Sequence, residues 1–235
     1  VDSLVNALDV NDYDGIDLDY ESTQLSDKEN YYKFLGKLSK EFKERDKRLS
    51  VTVLAKWGDT VIYPSLRETR EVQDWTRISN YADEIRIMAY DYTFQDDEDP
   101  GPIGPIEWQK EILNYAEKKI PTTTKVWLGV HLYSYYWVIP KYSSGDYTDP
   151  EITVGKRARS YTYSQIQDII LRDKVEYTHD NITAEGFAEY SCYTDSLCIA
   201  YYQDRFGIAE RKKLATEYNI EGVIYWRLGG EGDLL

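Results

Sequence analysis

The chain has 235 residues, with 42 Asp+Glu against 28 Lys+Arg, a net charge of −14 and a sequence pI near 4.6. This acidic balance argues against a general binder of nucleic-acid backbones, which needs a basic face. No apolar run reaches the ~18–20 residues of a membrane-spanning helix. The chain does not open on Met, so Val1 reads as a processing or fragment boundary.

The predicted elements alternate. Leu4 to Leu8 reads as the end of a helix, Gly15 to Glu21 as a strand, Lys28 to Lys47 as an amphipathic helix and Leu49 to Ala55 as a second strand. Val72 to Tyr81 contains a helix, and the strand Glu84 to Tyr92 follows. Trp108 to Lys119 is a helix and Lys125 to Tyr133 a strand. The helix Ile208 to Tyr218 and the strand Gly222 to Leu228 close the series. Such alternation predicts βαβ units and a parallel sheet.

Residues 138–205 break the rhythm. They are rich in Tyr, Ser and Thr, with one short helix (Tyr163 to Arg172) before hairpin-like strands. They read as an α+β insertion subdomain, leaving 1–137 and 206–235 as the main domain. Without them about 167 residues remain, enough for five or six units of roughly 30 residues each. A doubly wound five-stranded sheet is the alternative, weakened because no Gly-rich phosphate loop follows a strand.

Cys192 and Cys198 flank a hairpin expected to turn near Asp195. They are either a disulfide, in a secreted protein, or two reduced thiols. No CxxC pair accompanies the two His residues, which disfavours structural zinc.

Tyr13-Asp14-Gly15-Ile16-Asp17-Leu18-Asp19-Tyr20-Glu21 carries the most chemistry. Residues two apart on a strand share a face, so Asp17, Asp19 and Glu21 lie on one side and Ile16, Leu18 and Tyr20 on the other. The acidic face is expected to point into a barrel interior. Like charges this close raise at least one pKa, which can hold a carboxylic acid protonated as a general acid. A calcium loop fits poorly, because Val10 takes the first ligand position. A solvated acidic strand at a sheet edge fits poorly with the apolar alternation.

The stretch Asp14 to Glu21 resembles the D-G-x-D-x-D-x-E signature of family 18 glycoside hydrolases, the chitinase family. Met88-Ala89-Tyr90-Asp91, Leu128-Gly129-Val130 running to Tyr133, and Gly222 to Gly229 with its Trp226 resemble later strands of that family, in order. Pro100 to Trp108 is similar to the branch of bacterial spore-cortex and germination hydrolases. The resemblance implies an α/β fold, a partial TIM (β/α)8 barrel holding strands four to eight, with the α+β insertion between the last two. Strands one to three, about 90 residues, are then not in this chain, and independent folding is in question.

The resemblance also implies hydrolysis of β-1,4 bonds beside an N-acetylglucosamine-type sugar, in peptidoglycan or in chitin and its oligosaccharides. Glu21 would be the acid and then the base, and the substrate's acetamido group the nucleophile. Asp19 would hold the acetamide N–H, Asp17 would share a proton with Asp19, and Tyr90 would donate to the acetamide oxygen. Asp91, Tyr133, Met88 and Trp226 would bind sugar. On simple alternation Asp91 reaches the site only if its strand bends at the end. No metal or organic cofactor is implied. The implied partner is an N-acetylated polysaccharide, the implied state a monomer and the implied location secreted or cell-envelope. The alternative from another class is a non-hydrolytic chitin- or peptidoglycan-binding module.

Overall fold

The computed structural model describes residues 1–59, 61, 65–140, 157–193 and 196–235. Asp195, at the expected hairpin turn, lies outside the described residues. The elements in chain order are α1 (Asp2–Asn11), β1 (Gly15–Asp19), α2 (Lys28–Lys43), β2 (Arg48–Leu54), α3 (Arg67–Val72), α4 (Trp75–Ile78) and β3 (Glu84–Met88). Then come α5 (Ile106–Lys119), β4 (Lys125–His131), β5 (Tyr133–Pro140), β6 (Arg159–Thr162) and α6 (Tyr163–Asp173). β7 (Thr178–Asp180), β8 (Glu185–Cys192), β9 (Ser196–Tyr202), α7 (Arg205–Glu217) and β10 (Gly222–Trp226) complete the chain. Among the described residues no helix is long and apolar enough to cross a membrane.

The chain divides into two compact units, the first comprising residues 1–89, 110–129 and 215–224 and the second 90–109, 130–214 and 225–235. The first unit carries a sheet of order β1-β2-β3-β4-β10. β1, β2, β3 and β4 pair in parallel in turn. Leu49, Val51 and Val53 of β2 and Ile85 and Ile87 of β3 are fully buried on one face, and α2, with buried Leu35 and Leu38, packs against β2. The other face is polar. Register sets Asp17 beside Ser50 and Asp19 beside Thr52, then Ser50 beside Glu84 and Thr52 beside Arg86. This is the strand period of two, with apolar residues turned to the helices and polar ones to the opposite side.

Among the ends that depart from expectation are three helix ends. α2 stops at Lys43 rather than Lys47, because Asp46 turns left-handed (φ 54°) and Lys47 N–H closes on the Phe42 carbonyl. α5 starts at Ile106, directly after Pro105, since proline suits a helix start. α7 starts at Arg205, where the Asp204 carboxylate accepts from Gly207 N–H at 2.6 Å.

The second unit holds an antiparallel sheet of order β6-β5-β9-β8-β7. The expected strand Lys125 to Tyr133 is interrupted at Leu132, whose N–H donates to the Trp226 carbonyl at 2.7 Å. From Tyr133 the chain pairs with β9 and β6 instead. Ile166 and Ile170 of α6 pack under Tyr136, Val138, Ala188, Ala200 and Tyr202. α6 opens with a capping box: Thr162 accepts from Gln165 N–H, and the Gln165 side chain accepts from Thr162 N–H at 2.9 Å. Cys192 and Cys198 form a disulfide across the β8–β9 hairpin, which decides between the two states open in the sequence.

Candidate active site

In the first unit the acidic residues sit on β1 and just beyond it. The strand ends at Asp19, so Glu21 follows the strand instead of ending it. Leu18 is buried, and the Tyr20 ring meets Tyr31 and Phe34 of α2 edge-on at 6.1 and 6.0 Å. The apolar face therefore packs on a helix as expected. The acidic face differs from expectation. β1 ends the strand order, and Asp19 and Glu21 are exposed while Asp17 is half-buried. Among the described residues no strand pairs with the outer side of β1.

Asp17 is fixed from two sides. Thr52 Oγ1 donates to its Oδ2 at 2.7 Å, and Arg86 Nε lies 3.6 Å from its Oδ1. Above it, the Asp19 and Glu21 carboxyls share a hydrogen bond. Partial burial, then the Glu21 charge, then that hydrogen bond and the Asp17 charge push the Asp19 pKa up to about 6. Asp19, beside Glu21, is therefore the member of this column whose affinity for a proton is raised. Met88 ends β3, on the same sheet face as Asp17 and Asp19 and beside Leu54.

In the second unit Asp91 is the centre. Its strand ends at Met88, and Asp91 takes a left-handed backbone (φ 58°). That bend is the one the sequence required. Asp91 Oδ1 accepts from Tyr133 Oη and, at 2.8 Å, from Tyr135 Oη. Burial first, and the Asp91 charge next, raise both phenol pKa values, so both remain O–H donors. The Tyr90 ring stands edge-on to Tyr133 at 6.3 Å. A cavity of about 760 Å³ is lined by Asp91, Tyr133 and Trp226 together with Gln95, Tyr135 and Gln165. Trp226 is 51 % exposed and offers an open ring to it.

The description "Glycosyl hydrolases family 18" fits residues 1–231 of this chain. The chain belongs to that family. Among curated relatives, this family 18 chain is 23 % identical over 232 residues to an uncharacterized glycosylase, YvbX, of Bacillus subtilis, covering 99 % of the chain and 62 % of the relative. It is 24 % identical over 216 residues to the cortical fragment-lytic enzyme of the same organism, covering 91 % and 46 %. Among solved structures it superposes on a chitinase from Chromobacterium violaceum with TM-score 0.83 and 21 % identity, covering 99 % of this chain and 67 % of that one. The chain thus spans about half to two-thirds of the length of these relatives.

Of the eight predicted site residues, the first unit brings together Asp17, Asp19 and Glu21 and adds Met88 on the same sheet face. The second unit brings together Asp91, Tyr133 and Trp226, with Tyr90 against Tyr133. Sequence reasoning missed Thr52, Arg86 and Tyr135. Their signal was present: Thr52 and Arg86 are the polar members of alternating strands, and Tyr135 is two residues from Tyr133. It also missed Lys56, a buried lysine whose Nζ donates to the Gln73 carbonyl at 2.5 Å and whose pKa burial lowers to about 8. His131, which has no predicted role, is fully buried near Glu185 and Arg211, and burial pushes its pKa well down, so it is neutral. Among the described residues no three His, Cys, Asp or Glu side chains gather to hold a metal ion.

Proposed function

We propose that this family 18 chain is the catalytic part of a retaining glycosidase that cleaves β-1,4 bonds beside N-acetylglucosamine units. The observation that carries the reading is the Asp19–Glu21 pair, two carboxyls sharing one hydrogen bond with the Asp19 pKa raised to about 6. Glu21 gives its proton to the glycosidic oxygen as the C1–O bond breaks. The substrate's acetamide oxygen forms the new bond to C1. Asp19 accepts the acetamide N–H, and Asp17 tunes Asp19. Water then attacks C1 and passes its proton to Glu21, restoring the acid. Tyr90 donates to the acetamide oxygen, Asp91, Tyr133 and Met88 contact sugar, and Trp226 floors a sugar ring.

The partial-barrel reading, with strands four to eight and residues 138–205 inserted into a domain of 1–137 and 206–235, is proposed with it. Among N-acetylated glycans, the cortical fragment-lytic relative favours peptidoglycan and the chitinase fold neighbour keeps chitin in view. A location outside the cell or in its envelope, supported by the disulfide, follows from that substrate class. The test is product formation by mass spectrometry from N-acetylglucosamine oligomers and purified peptidoglycan, using the full-length protein and Glu21→Gln. Cleavage that is lost in the variant supports the reading, and the faster substrate names the glycan. A folded full-length protein that binds oligomers without cleaving them overturns it in favour of a binding module.

A further inference from the structure

The polar face of the first unit's sheet carries an ion network beneath the carboxylate column. Arg48 Nη1 lies 3.5 Å from Glu84 Oε1, and Trp127 Nε1 donates to Glu84 Oε2 at 3.1 Å. Arg86 Nη2 lies 3.6 Å from Glu84 Oε2 on one side, while its Nε lies 3.6 Å from Asp17 Oδ1 on the other. Arg86 Nε and Asp17 Oδ1 are both buried, and neither has a hydrogen-bond partner among the described residues. Each is therefore the group that the other is left to satisfy. The Glu84 side chain is only 6 % exposed. Two guanidinium groups thus stand against two carboxylates, Glu84 and Asp17. Asp19 and Glu21, further along, have no cation in the network.

We propose that Arg86 is a positioning residue that holds Asp17 as an anion and so keeps the catalytic proton on the Asp19–Glu21 pair. This rests on the glycosidase reading for its consequence, but the proton placement stands on the network alone. Three carboxyls in a column share few protons, and the proton goes where a negative charge is least compensated. Asp17 is compensated by Arg86 and by the Thr52 hydroxyl. The other groups facing it do not compete. Ser50 of β2 is neutral, Glu84 of β3 is itself neutralised, and the Tyr31 phenol of α2 stays protonated, its pKa raised first by burial. A proton on Asp17 would leave Arg86 with one partner fewer and strip the acid from Glu21's reach.

The test is a carboxyl ¹³C NMR titration of the full-length protein, with Asp17→Asn and Asp19→Asn used for assignment. Removing a cation makes the column easier to protonate. The first protonation step of the column, read at Asp19, is therefore expected to move to higher pH in Arg86→Met and Arg86→Gln, by on the order of one pH unit. It is expected to stay in place in Arg86→Lys. Thr52→Val, which keeps shape and removes the donor, is expected to shift it the same way by less. In an Asp17→Asn background Arg86→Gln is expected to add nothing. In cleavage assays the acid limb of kcat is expected to rise in pH with the same pattern, with KM little changed. A titration step unmoved in folded Arg86→Gln and Thr52→Val, or moved equally in the Asp17→Asn background, overturns the proposal. Absence of cleavage by the parent protein with the titration shift intact would sink the glycosidase reading and leave the proton placement standing.

Discussion

In the first unit two neighbouring carboxyls, Asp19 and Glu21, answer each other, and the Asp19 pKa is raised to about 6. In the second unit Asp91 and Glu185 are each met by donors of fixed kind. Asp91 receives two phenol O–H groups. Glu185, fully buried, accepts the backbone N–H of Ile103 at 3.0 Å and of Gly104 at 2.6 Å, with Arg211 Nη2 3.6 Å away. The contrast is between a pair of acids that answer each other and carboxyls pinned in place by donors, Glu185 among them, whose pKa burial pushes up to about 7. A movable proton needs an acid facing another acid on an accessible surface. A pinned carboxyl needs donors that come from distant sequence.

Glu21→Gln breaks the movable-proton arm most severely. Loss of a general acid–base residue is expected to lower kcat about 10³-fold while the melting temperature holds, measured by product release from N-acetylglucosamine oligomers. Glu185→Ala attacks the pinned arm. It takes the acceptor from two backbone N–H groups and the facing carboxylate from the buried Arg211, and is expected to cost about 3–5 kcal/mol in urea unfolding. A loss below about 1 kcal/mol would mean that Glu185 does not hold the 103–104 loop. Asp91→Asn retains the shape but weakens two charge-assisted bonds. A fall of about 10–30-fold in kcat/KM, roughly 1.5–2 kcal/mol, is expected, read with the same oligomers.

The paired change Cys192→Ser with Cys198→Ser opens a short loop and is expected to lower stability by about 2 kcal/mol in urea unfolding, leaving the Asp19 titration untouched. The smallest effect is pH-linked. The Asp19 pKa is raised from 3.8 to about 6 in the folded chain, so the unfolded chain ionises first as pH rises. Across that window the folded state holds the extra proton and loses stability with rising pH. The effect is muted because Asp19 is more than a third exposed. Asp19→Asn, which cannot ionise, is expected to gain melting temperature over the parent between pH 4 and pH 6, by less than the disulfide contributes. An equal melting-temperature gap at both pH values would refute it.

The parallel unit was largely legible from sequence, because β2 and β3 alternate apolar and polar residues between helices of clear amphipathic spacing. The carboxylate motif of β1 was legible for the same reason, since a strand's period of two puts three acids on one side. Its exposure was not, because that depends on which strand lies next to β1. Arg86 was not linked to Asp17, since only parallel register brings them near, aligning β1 with β2 residues 33 further on and β2 with β3 residues 34 further on. The Glu185 contacts span 82 and 81 residues of sequence and carry no local pattern. The break at Leu132 was missed because Val130, Leu132 and Tyr133 all suit a strand, and only the hydrogen bond to the Trp226 carbonyl marks the change of sheet. Asp91 was legible conditionally, through the bend that its left-handed backbone supplies.

Gln165 has two duties. Its side chain closes the first turn of α6, and the same residue forms part of the wall of the cavity that holds Asp91 and Trp226. Replacing it to accept a bulkier or differently charged ligand would also unmake a helix cap, at a cost of about 1 kcal/mol. Efforts to retune ligand preference through this wall would therefore select for second-site changes that restore the start of α6. A library that varies Gln165 alone would return weaker folds before it returned new preferences, whereas one that varies Gln165 together with Thr162 could separate the two.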